Sequence, residues 1–212
     1  MIPKLIGIYG GTFDPVHSGH LSAAQEIQKE LGMEQVKMVL SAYPPHRKQP
    51  LLTAEGRFKL LEIALRNSPF LMADDTEMLR EGPSYMVDTL RFFREKFPEH
   101  SLALILGMEA FNGLLKWYHW EDLLNLAHIV VTDRAAFENT VHSSLVNLMK
   151  KHQTFDKQQL KNHTHGKIYR QNVTPLAVSA TQLRQLIKEG KSVSSLIPVT
   201  VYDEIVTNNW YA

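Results

Sequence analysis

One stretch near the N-terminus restricts the fold of this chain more than any other: residues 9–20, Tyr-Gly-Gly-Thr-Phe-Asp-Pro-Val-His-Ser-Gly-His. The apolar run at residues 5–9 that leads into it is typical of a buried strand. After the stretch, apolar residues recur at helical spacing as far as Gly32, which predicts the end of a helix. The stretch is therefore predicted to connect a buried strand to a helix, the unit from which parallel α/β sheets are built.

The same stretch carries groups that suit a phosphate. Gly10 and Gly11 are expected to let the main chain turn tightly and approach a ligand closely. A helix N-terminus presents free N–H groups and a partial positive charge, and His17 and His20 are spaced to share one face there. Two imidazoles beside a positive helix end suit a polyphosphate, whose negative charge must be held and then shifted as a bond breaks.

Composition narrows the class of protein. A length of 212 residues suits one α/β domain, or one domain with a small appendage. The net charge of +1 gives no reason to expect nucleic acid or an anionic membrane as a partner, and no apolar run approaches the ~20 residues of a membrane span. The chain has no Cys, which excludes disulfides, thiolate zinc sites and Cys nucleophiles. We therefore expect a soluble protein of the reducing cytoplasm; oligomeric state has no signal in the sequence.

The rest of the chain continues the alternation of strands and helices. This pattern predicts a Rossmann-like α/β fold, an open and mainly parallel sheet of five to six strands with helices on both faces. We expect residues 1–212 to form a single domain, with 135–166 as a peripheral insertion and 179–212 as a C-terminal helical portion. Ser84 is expected to cap the third long helix. The further strands are predicted at residues 35–42, 70–73, 102–106, 128–132 and 167–173.

Three polar segments have two readings each. The basic residues at 46–48 lie in a proline-bounded loop after a predicted strand, so they either meet phosphate or are simply solvated. Asp74, Asp75 and Glu77 either hold a metal or form a solvated strand exit, and their irregular spacing favours the solvated exit. The histidines of the predicted insertion are interpreted as surface residues rather than a metal site: His142, His152, His163 and His165.

A second strand-to-helix crossing is predicted near the C-terminus. Ser179 is the natural cap of a helix that ends at Gly190. Thr181 and Arg184 stand three residues apart and should project together near the start of that helix. A hydroxyl and a guanidinium at a positive helix end make a second phosphate site. We expect the two crossings to meet in space around one polyphosphate.

Both crossings resemble the motifs of one enzyme superfamily. Residues 11–20 resemble the signature of the HxGH nucleotidylyltransferases, and residues 178–184 resemble their second motif, Ile-Ser-x-Thr-x-x-Arg. The resemblance covers essentially the full chain and implies transfer of a nucleotidyl group from a nucleoside triphosphate to an acceptor phosphate. Within the superfamily the chain is similar to the bacterial nicotinate mononucleotide adenylyltransferases, which implies that ATP and nicotinate mononucleotide give nicotinate adenine dinucleotide and pyrophosphate. The segments that carry this closer resemblance are 44–47, 83–85, 107–118 and Arg134.

The resemblance also implies roles for individual residues. The catalytic residues would be His17, His20 and Arg184, with His20 closest to the reacting phosphorus. ATP would be bound by Gly10, Gly11, Thr12 and Phe13 at the first motif, by Gly107 and Glu109 along the ribose, and by Ser179 and Thr181 at the departing phosphates. Nicotinate mononucleotide would be bound by Tyr85, Trp117, Tyr118 and Arg134, with His46 and Arg47 near its phosphate. Mg²⁺ would arrive with ATP rather than in a protein-built metal site.

Two positions depart from the family pattern. Glu109 stands where the family usually has Asp, and its extra methylene would shift a ribose contact. Met86 stands where Thr commonly donates a hydrogen bond to the nicotinate carboxylate, and Met cannot donate one. The choice between acid and amide substrates is therefore open. Alternative readings are nicotinamide mononucleotide or another phosphate such as phosphopantetheine as the acceptor, and a nucleotide-binding regulator without catalysis.

Overall fold

A single parallel sheet forms the centre of the molecule. The computed structural model describes residues 4–45, 49–134 and 141–212, with only the main chain of Arg134. Six strands pair in parallel in the order β3-β2-β1-β4-β5-β6, which confirms the predicted parallel α/β sheet. The strands are β1 (Leu5–Gly11), β2 (Gln35–Leu40), β3 (Leu71–Asp74), β4 (Ser101–Gly107), β5 (His128–Arg134) and β6 (Ile168–Val173).

Helices cover both faces of the sheet, as predicted, and enclose two separate apolar cores. One core includes the buried residues of α1, α2, α8 and α9, and the other those of α3, α4, α5 and α6. In the described part of the chain, no helix is both long and apolar enough to cross a membrane. The helices are α1 (Ser18–Leu31), α2 (Ala54–Leu65), α3 (Met86–Lys96), α4 (Met108–Asn112), α5 (Leu123–Leu126), α6 (Val146–His152), α7 (Gln159–Asn162), α8 (Ala180–Lys188) and α9 (Val199–Thr207).

The strand order places a crevice beside β1. From β1 the chain builds outward through β2 and β3 on one side, and later through β4, β5 and β6 on the other. Connections that leave β1 and β4 therefore diverge at the carboxyl ends of these two neighbouring strands. Ligands of open α/β sheets bind at this kind of switch point. The first motif follows β1 directly, so the topology puts it in that crevice.

Local capping chemistry explains one end each of α1, α2 and α8. Gly32 ends α1 in the left-handed conformation, with φ 57°. The hydroxyls of Thr53 and Ser179 accept hydrogen bonds from the amides of Gly56 and Gln182 and so cap α2 and α8, as was predicted for Ser179. The prediction for Ser84 is wrong. The N-cap of α3 is Tyr85, because the Ser84 hydroxyl instead accepts a hydrogen bond from the Tyr43 amide at 2.9 Å.

The segment between β5 and α8 contains the predicted insertion. It includes the helices α6 and α7. Two residues of this segment are fully buried. Leu145 belongs to the core that includes α3 and α4, and Leu160 belongs to the core that includes α1 and α2. The division of the chain at 135–166 and at 179 stays a prediction. The second crossing starts from β6, and residues 174–178 between β6 and the Ser179 cap are irregular.

His128 is a buried histidine at the start of β5, at the amino ends of the strands and therefore at the end of the sheet opposite the crevice. Its Nδ1 accepts a hydrogen bond from the Lys167 amide at 3.0 Å, so Nε2 carries the proton and donates to the His163 carbonyl at 2.8 Å. Burial is the main reason that the pKa of His128 is lowered from 6.5 to about 4. The hydrogen bond to the His163 carbonyl opposes this change, because it favours the protonated ring. The neighbouring His165 and Arg94 lower it further.

This buried imidazole should make stability fall in mild acid. Between pH 6.5 and 4 the unfolded chain binds a proton at residue 128 that the folded chain cannot accept, so the unfolding free energy falls as the pH falls. The full effect corresponds to roughly 3 kcal/mol for a shift of this size. Urea denaturation at pH 7.5 and pH 4.5 should show this loss in the natural sequence and a smaller loss in His128→Gln. The exposed His142→Gln is the matched control and should keep the full loss.

Candidate active site

The first motif turns from β1 into α1 at a single residue. Phe13 has φ 47°, in the left-handed region, and the Asp14–Pro15 peptide is cis. Gly10 and Gly11 were expected to make the turn, but they are the last residues of β1 and neither has a positive φ. They are needed for space instead. A Cβ on Gly10 would lie 2.5 Å from Met86 Cε, and one on Gly11 would lie 2.5 Å from the Phe13 ring.

The two histidines of the motif lie together, as their spacing predicts. His17 is the N-cap of α1, and His20 is in its first turn. Their rings are stacked, with centroids 3.7 Å apart and an interplanar angle of 23°. The His17 amide donates to His20 Nδ1 at 3.4 Å. In the neutral ring this contact places the proton on Nε2, so the far side of His20 is a hydrogen-bond donor.

The second motif reaches the first across the mouth of the crevice. Arg184 Nη1 donates to the Asp14 carbonyl at 2.6 Å and lies 3.7 Å from its carboxylate. Arg184 Nη2 donates to the hydroxyl of Thr181 at 3.3 Å, so these two side chains do project together. Val178 also packs against the position of Gly19, where an added Cβ would lie 2.9 Å from Val178 Cγ1. The expectation that the two crossings meet is confirmed.

Asp14, to which the sequence assigned no role, is the centre of a buried network. Its carboxylate accepts hydrogen bonds from the amides of Leu51 and Leu52 at 2.9 and 3.4 Å. The hydroxyl of Tyr211 donates to it at 2.7 Å. Burial and the Asp14 carboxylate raise the pKa of Tyr211, so this hydroxyl keeps its proton. Together with Arg184, these contacts attach the N-terminal motif to a neighbouring loop and to the C-terminal end.

Arg57 is a second residue that sequence reasoning missed. It lies on α2 and is only 1% exposed, with its guanidinium beneath the first motif. The neighbouring Phe58 is only half-buried, whereas Arg57 occupies a buried position of the helix. The available signal was its spacing: Arg57 precedes Leu60 and Leu61 by three and four residues, on the buried stripe of the helix.

Aromatic residues line the other side of the crevice. The rings of Tyr85 and Tyr118 stack with centroids 4.3 Å apart, at an interplanar angle of 28°. Trp117 is half-buried against the apolar core beside them. Tyr118 is 48% exposed, so the pair is accessible from solvent, and aromatic rings of this kind can stack on a flat heterocycle. Tyr85 and Tyr118 therefore come together as the resemblance implied.

The remaining predicted nucleotide contacts differ in accessibility. Gly107 and Glu109 are exposed at the end of β4 and the first turn of α4. Phe13 as a whole residue is only 2% exposed, and its side chain belongs to the apolar core, so the ring is not a ligand surface. His46 and Arg47, with Lys48, lie outside the described residues, and so does the side chain of Arg134.

Two of the three carboxylates at the end of β3, Asp74 and Glu77, are buried rather than solvated, which corrects that expectation for them. Asp74 is nearly buried and accepts hydrogen bonds from the amide and hydroxyl of Thr76. Glu77 is 3% exposed and accepts a hydrogen bond from the Thr89 hydroxyl at 2.5 Å. Burial raises the pKa of Glu77. Among the residues that the structure describes, no group of three or more His, Asp or Glu side chains could hold a metal ion.

Comparison with known proteins agrees with this geometry. The cytidylyltransferase-like family model matches residues 8–186. A protein of Methylococcus capsulatus with the curated name "probable nicotinate-nucleotide adenylyltransferase" is 41% identical over 209 residues, which cover 98% of this chain and 100% of that protein. One of the same name from Pseudomonas syringae is 41% identical over 211 residues, covering 99% and 95%.

A solved structure shows the same fold. It is the nicotinic acid mononucleotide adenylyltransferase of Plasmodium falciparum, complexed with NaAD, and it superposes with a TM-score of 0.73. The sequence identity is 20%, and the match covers 98% of this chain and 97% of that one. The structural match supports the fold, whereas the full-length matches at 41% identity support membership in a family. The chain therefore belongs to the cytidylyltransferase-like family and, within it, to the nicotinate-nucleotide adenylyltransferases.

Proposed function

We propose that the protein transfers the adenylyl group of ATP to nicotinate mononucleotide, giving nicotinate adenine dinucleotide and pyrophosphate in NAD biosynthesis. The observation that carries the proposal is the contact between the two motifs, in which Arg184 donates to the main chain of Asp14. That contact gathers an imidazole pair and a guanidinium around one crevice. The names of the full-length relatives support the same reaction.

The site favours positioning and charge stabilisation as the source of catalysis. A phosphate oxygen of the mononucleotide attacks the α-phosphorus of ATP in line, and pyrophosphate leaves. A phosphate monoester is already ionised near neutral pH, so the attack needs no strong general base. His20 donates from Nε2 to the phosphates, while Arg184 and Thr181 hold the departing pyrophosphate. His17 fixes the orientation of His20 through the stacked rings and the amide contact.

Mg²⁺ is the divalent ion that we propose to accompany ATP. It prefers phosphate oxygens and water in an octahedral arrangement. The Asp14 carboxylate, which lies in the first motif, already accepts three hydrogen bonds and is not available as a ligand. The ion would supply neutralisation of phosphate charge, and the protein would orient the triphosphate to which it is bound. We also propose a cytoplasmic location, where ATP is abundant.

The nicotinate ring is proposed to bind at the aromatic wall. Tyr85 and Tyr118 offer an open stacking surface, with Trp117 beside it. Arg134, His46 and Arg47 are proposed to complete the mononucleotide site through their positive charge. Met86 lies over Gly10 next to Tyr85 and offers no hydrogen bond, so main-chain amides are proposed to hold the carboxylate.

A side-by-side turnover assay tests the proposal. Pyrophosphate release from ATP is measured with nicotinate mononucleotide, nicotinamide mononucleotide and phosphopantetheine as acceptors. We expect kcat/KM for the acid mononucleotide to exceed that for the amide by about tenfold or more, a difference of ~1.4 kcal/mol. Faster turnover with either other acceptor would overturn the assignment of substrate. No pyrophosphate release with any acceptor would favour the non-catalytic regulator.

A further inference from the structure

Arg57 carries a charge that the reaction does not use directly. All its hydrogen bonds in the described part of the chain go to main-chain carbonyls. Nη1 donates to Thr12 at 2.7 Å and to Ser41 at 2.8 Å. Nη2 donates to Ala42 at 2.8 Å, and Nε donates to Leu52 at 3.2 Å. Four donor contacts from one rigid, planar fork fix the relative positions of the chain segments that accept them.

Those segments border the candidate site. Thr12 follows β1 in the first motif, Ser41 and Ala42 follow β2, and Leu52 precedes α2. The ladder between β1 and β2 ends where the Ser41 amide donates to Gly11 at 2.8 Å. Beyond that point the carbonyls of the two chains have diverged, and the guanidinium supplies the donors that a strand partner would otherwise supply.

Retaining this charge in the core has a cost. Burial lowers the pKa of Arg57, and the nearby Asp14 carboxylate opposes that change. A buried ion is weak evidence for stability, because an apolar side chain of similar volume often serves the core equally well. The contacts of Arg57 are therefore better explained by the geometry that they impose on the first motif.

The geometry is set at one peptide group. The peptide between Thr12 and Phe13 is trans, so its C=O and N–H point in opposite directions. Because the Thr12 carbonyl accepts a hydrogen bond from the buried guanidinium, the Phe13 N–H points to the opposite side of the peptide, away from Arg57. In the described part of the chain no group accepts a hydrogen bond from this N–H. A donor bond at the carbonyl also polarises the peptide and strengthens the N–H as a donor.

We propose that Arg57 is a positioning residue that aims the Phe13 amide at the triphosphate of ATP. The proposal rests on the proposed function, since it takes ATP as the ligand of the first motif. Arg57 touches neither substrate. It acts through the main chain of residues 12–13, and with Asp14 it holds that loop in the shape that the triphosphate needs.

ATP binding without turnover tests the proposal. Arg57→Met removes the charge and the donors at similar length, and Arg57→Lys keeps the charge and part of the contacts. We expect the dissociation constant for ATP, measured by calorimetry, to rise roughly 10–100-fold in Arg57→Met, as for the loss of a hydrogen bond to a charged group. Arg57→Lys should fall between this variant and the natural sequence, and affinity for nicotinate mononucleotide should change less than about twofold.

A spectroscopic readout separates positioning from stability. With ¹⁵N-labelled Phe, addition of ATP should shift the Phe13 amide resonance downfield in the natural sequence, and the shift should be lost in Arg57→Met. The amide of the buried Phe111 serves as the internal reference. The exposed Arg66→Met, on the residue after α2, is the matched control and should bind ATP normally. All measurements are made well below the unfolding midpoint of each variant.

The outcomes are distinguishable. A folded Arg57→Met that binds ATP with natural affinity and shows the Phe13 shift would overturn the proposal. So would failure of both variants to hold the native fold in the cold, since Arg57 would then act in folding. A natural protein that binds ATP but does not react with nicotinate mononucleotide would overturn the proposed function and leave the Arg57 result interpretable. Absence of ATP binding in the natural protein would overturn both.

Discussion

Replacing His20 by alanine is expected to lower kcat by roughly 10³-fold, the effect of losing a preorganised donor to a developing negative charge. The imidazole stands in the first turn of α1, stacked on His17, and its Nδ1 accepts from the His17 amide. This contact orients the ring so that Nε2–H lies on the side opposite the His17 amide. KM for ATP should rise less than kcat falls, because the contact strengthens in the transition state.

Pyrophosphate release measures this effect, and circular dichroism should show an unchanged fold because His20 is only half-buried. The exposed His142→Ala is the matched control and should turn over normally. Turnover within about tenfold of the natural protein would contradict the role of His20. A nucleotidyl-histidine trapped in a quenched reaction would contradict the direct in-line transfer.

Arg184→Gln is expected to have the next largest effect, lowering kcat/KM by about 100-fold or more. The guanidinium binds the main chain of Asp14, and we propose that it also presents its charge to the departing phosphates near the start of α8. Loss of a charged donor at the leaving group slows the chemical step and weakens product binding. Inhibition by added pyrophosphate should therefore weaken together with kcat/KM.

Two companion variants sharpen this result. Lys188→Gln removes the same charge from the exposed end of α8 and should change kcat/KM by less than about twofold. Thr181→Val removes the hydroxyl that Arg184 contacts and should lose about tenfold or less, since the guanidinium remains. An Arg184→Gln protein with normal pyrophosphate inhibition would show that Arg184 serves only to join the two motifs.

The first motif can largely be predicted from the sequence. It is local, because a strand, a turn and a helix N-terminus are encoded within some twenty consecutive residues. Its details still differ from the prediction, since the turn is made at Phe13 and the two glycines admit Met86 and the Phe13 ring. A sequence pattern indicates that glycine is needed at a position. It does not show whether the reason is close approach of another group or a positive φ.

The misassigned polar residues share one cause. Arg57, Asp14 and Glu77 are charged side chains, and charged side chains are usually exposed, so each was overlooked or read as solvated. Their partners are carbonyls, amides and hydroxyls that lie as far as 45 residues from Arg57, 197 from Asp14 and 12 from Glu77 along the chain. Such contacts leave no periodicity along the chain. The Ser84 cap failed in the same way, because Tyr43 competed for its hydroxyl.

The sequence by itself determined the parallel α/β architecture, several helix ends and the two candidate phosphate-binding motifs, because buried runs, helical spacing and capping chemistry are short-range properties. Only the tertiary structure decided that Arg184 meets Asp14, that Tyr211 donates to the same carboxylate, and that Arg57 lies beneath Thr12. The physical reason is the strand order, which places β1 between β2 and β4 and so opens one crevice to which distant parts of the chain return.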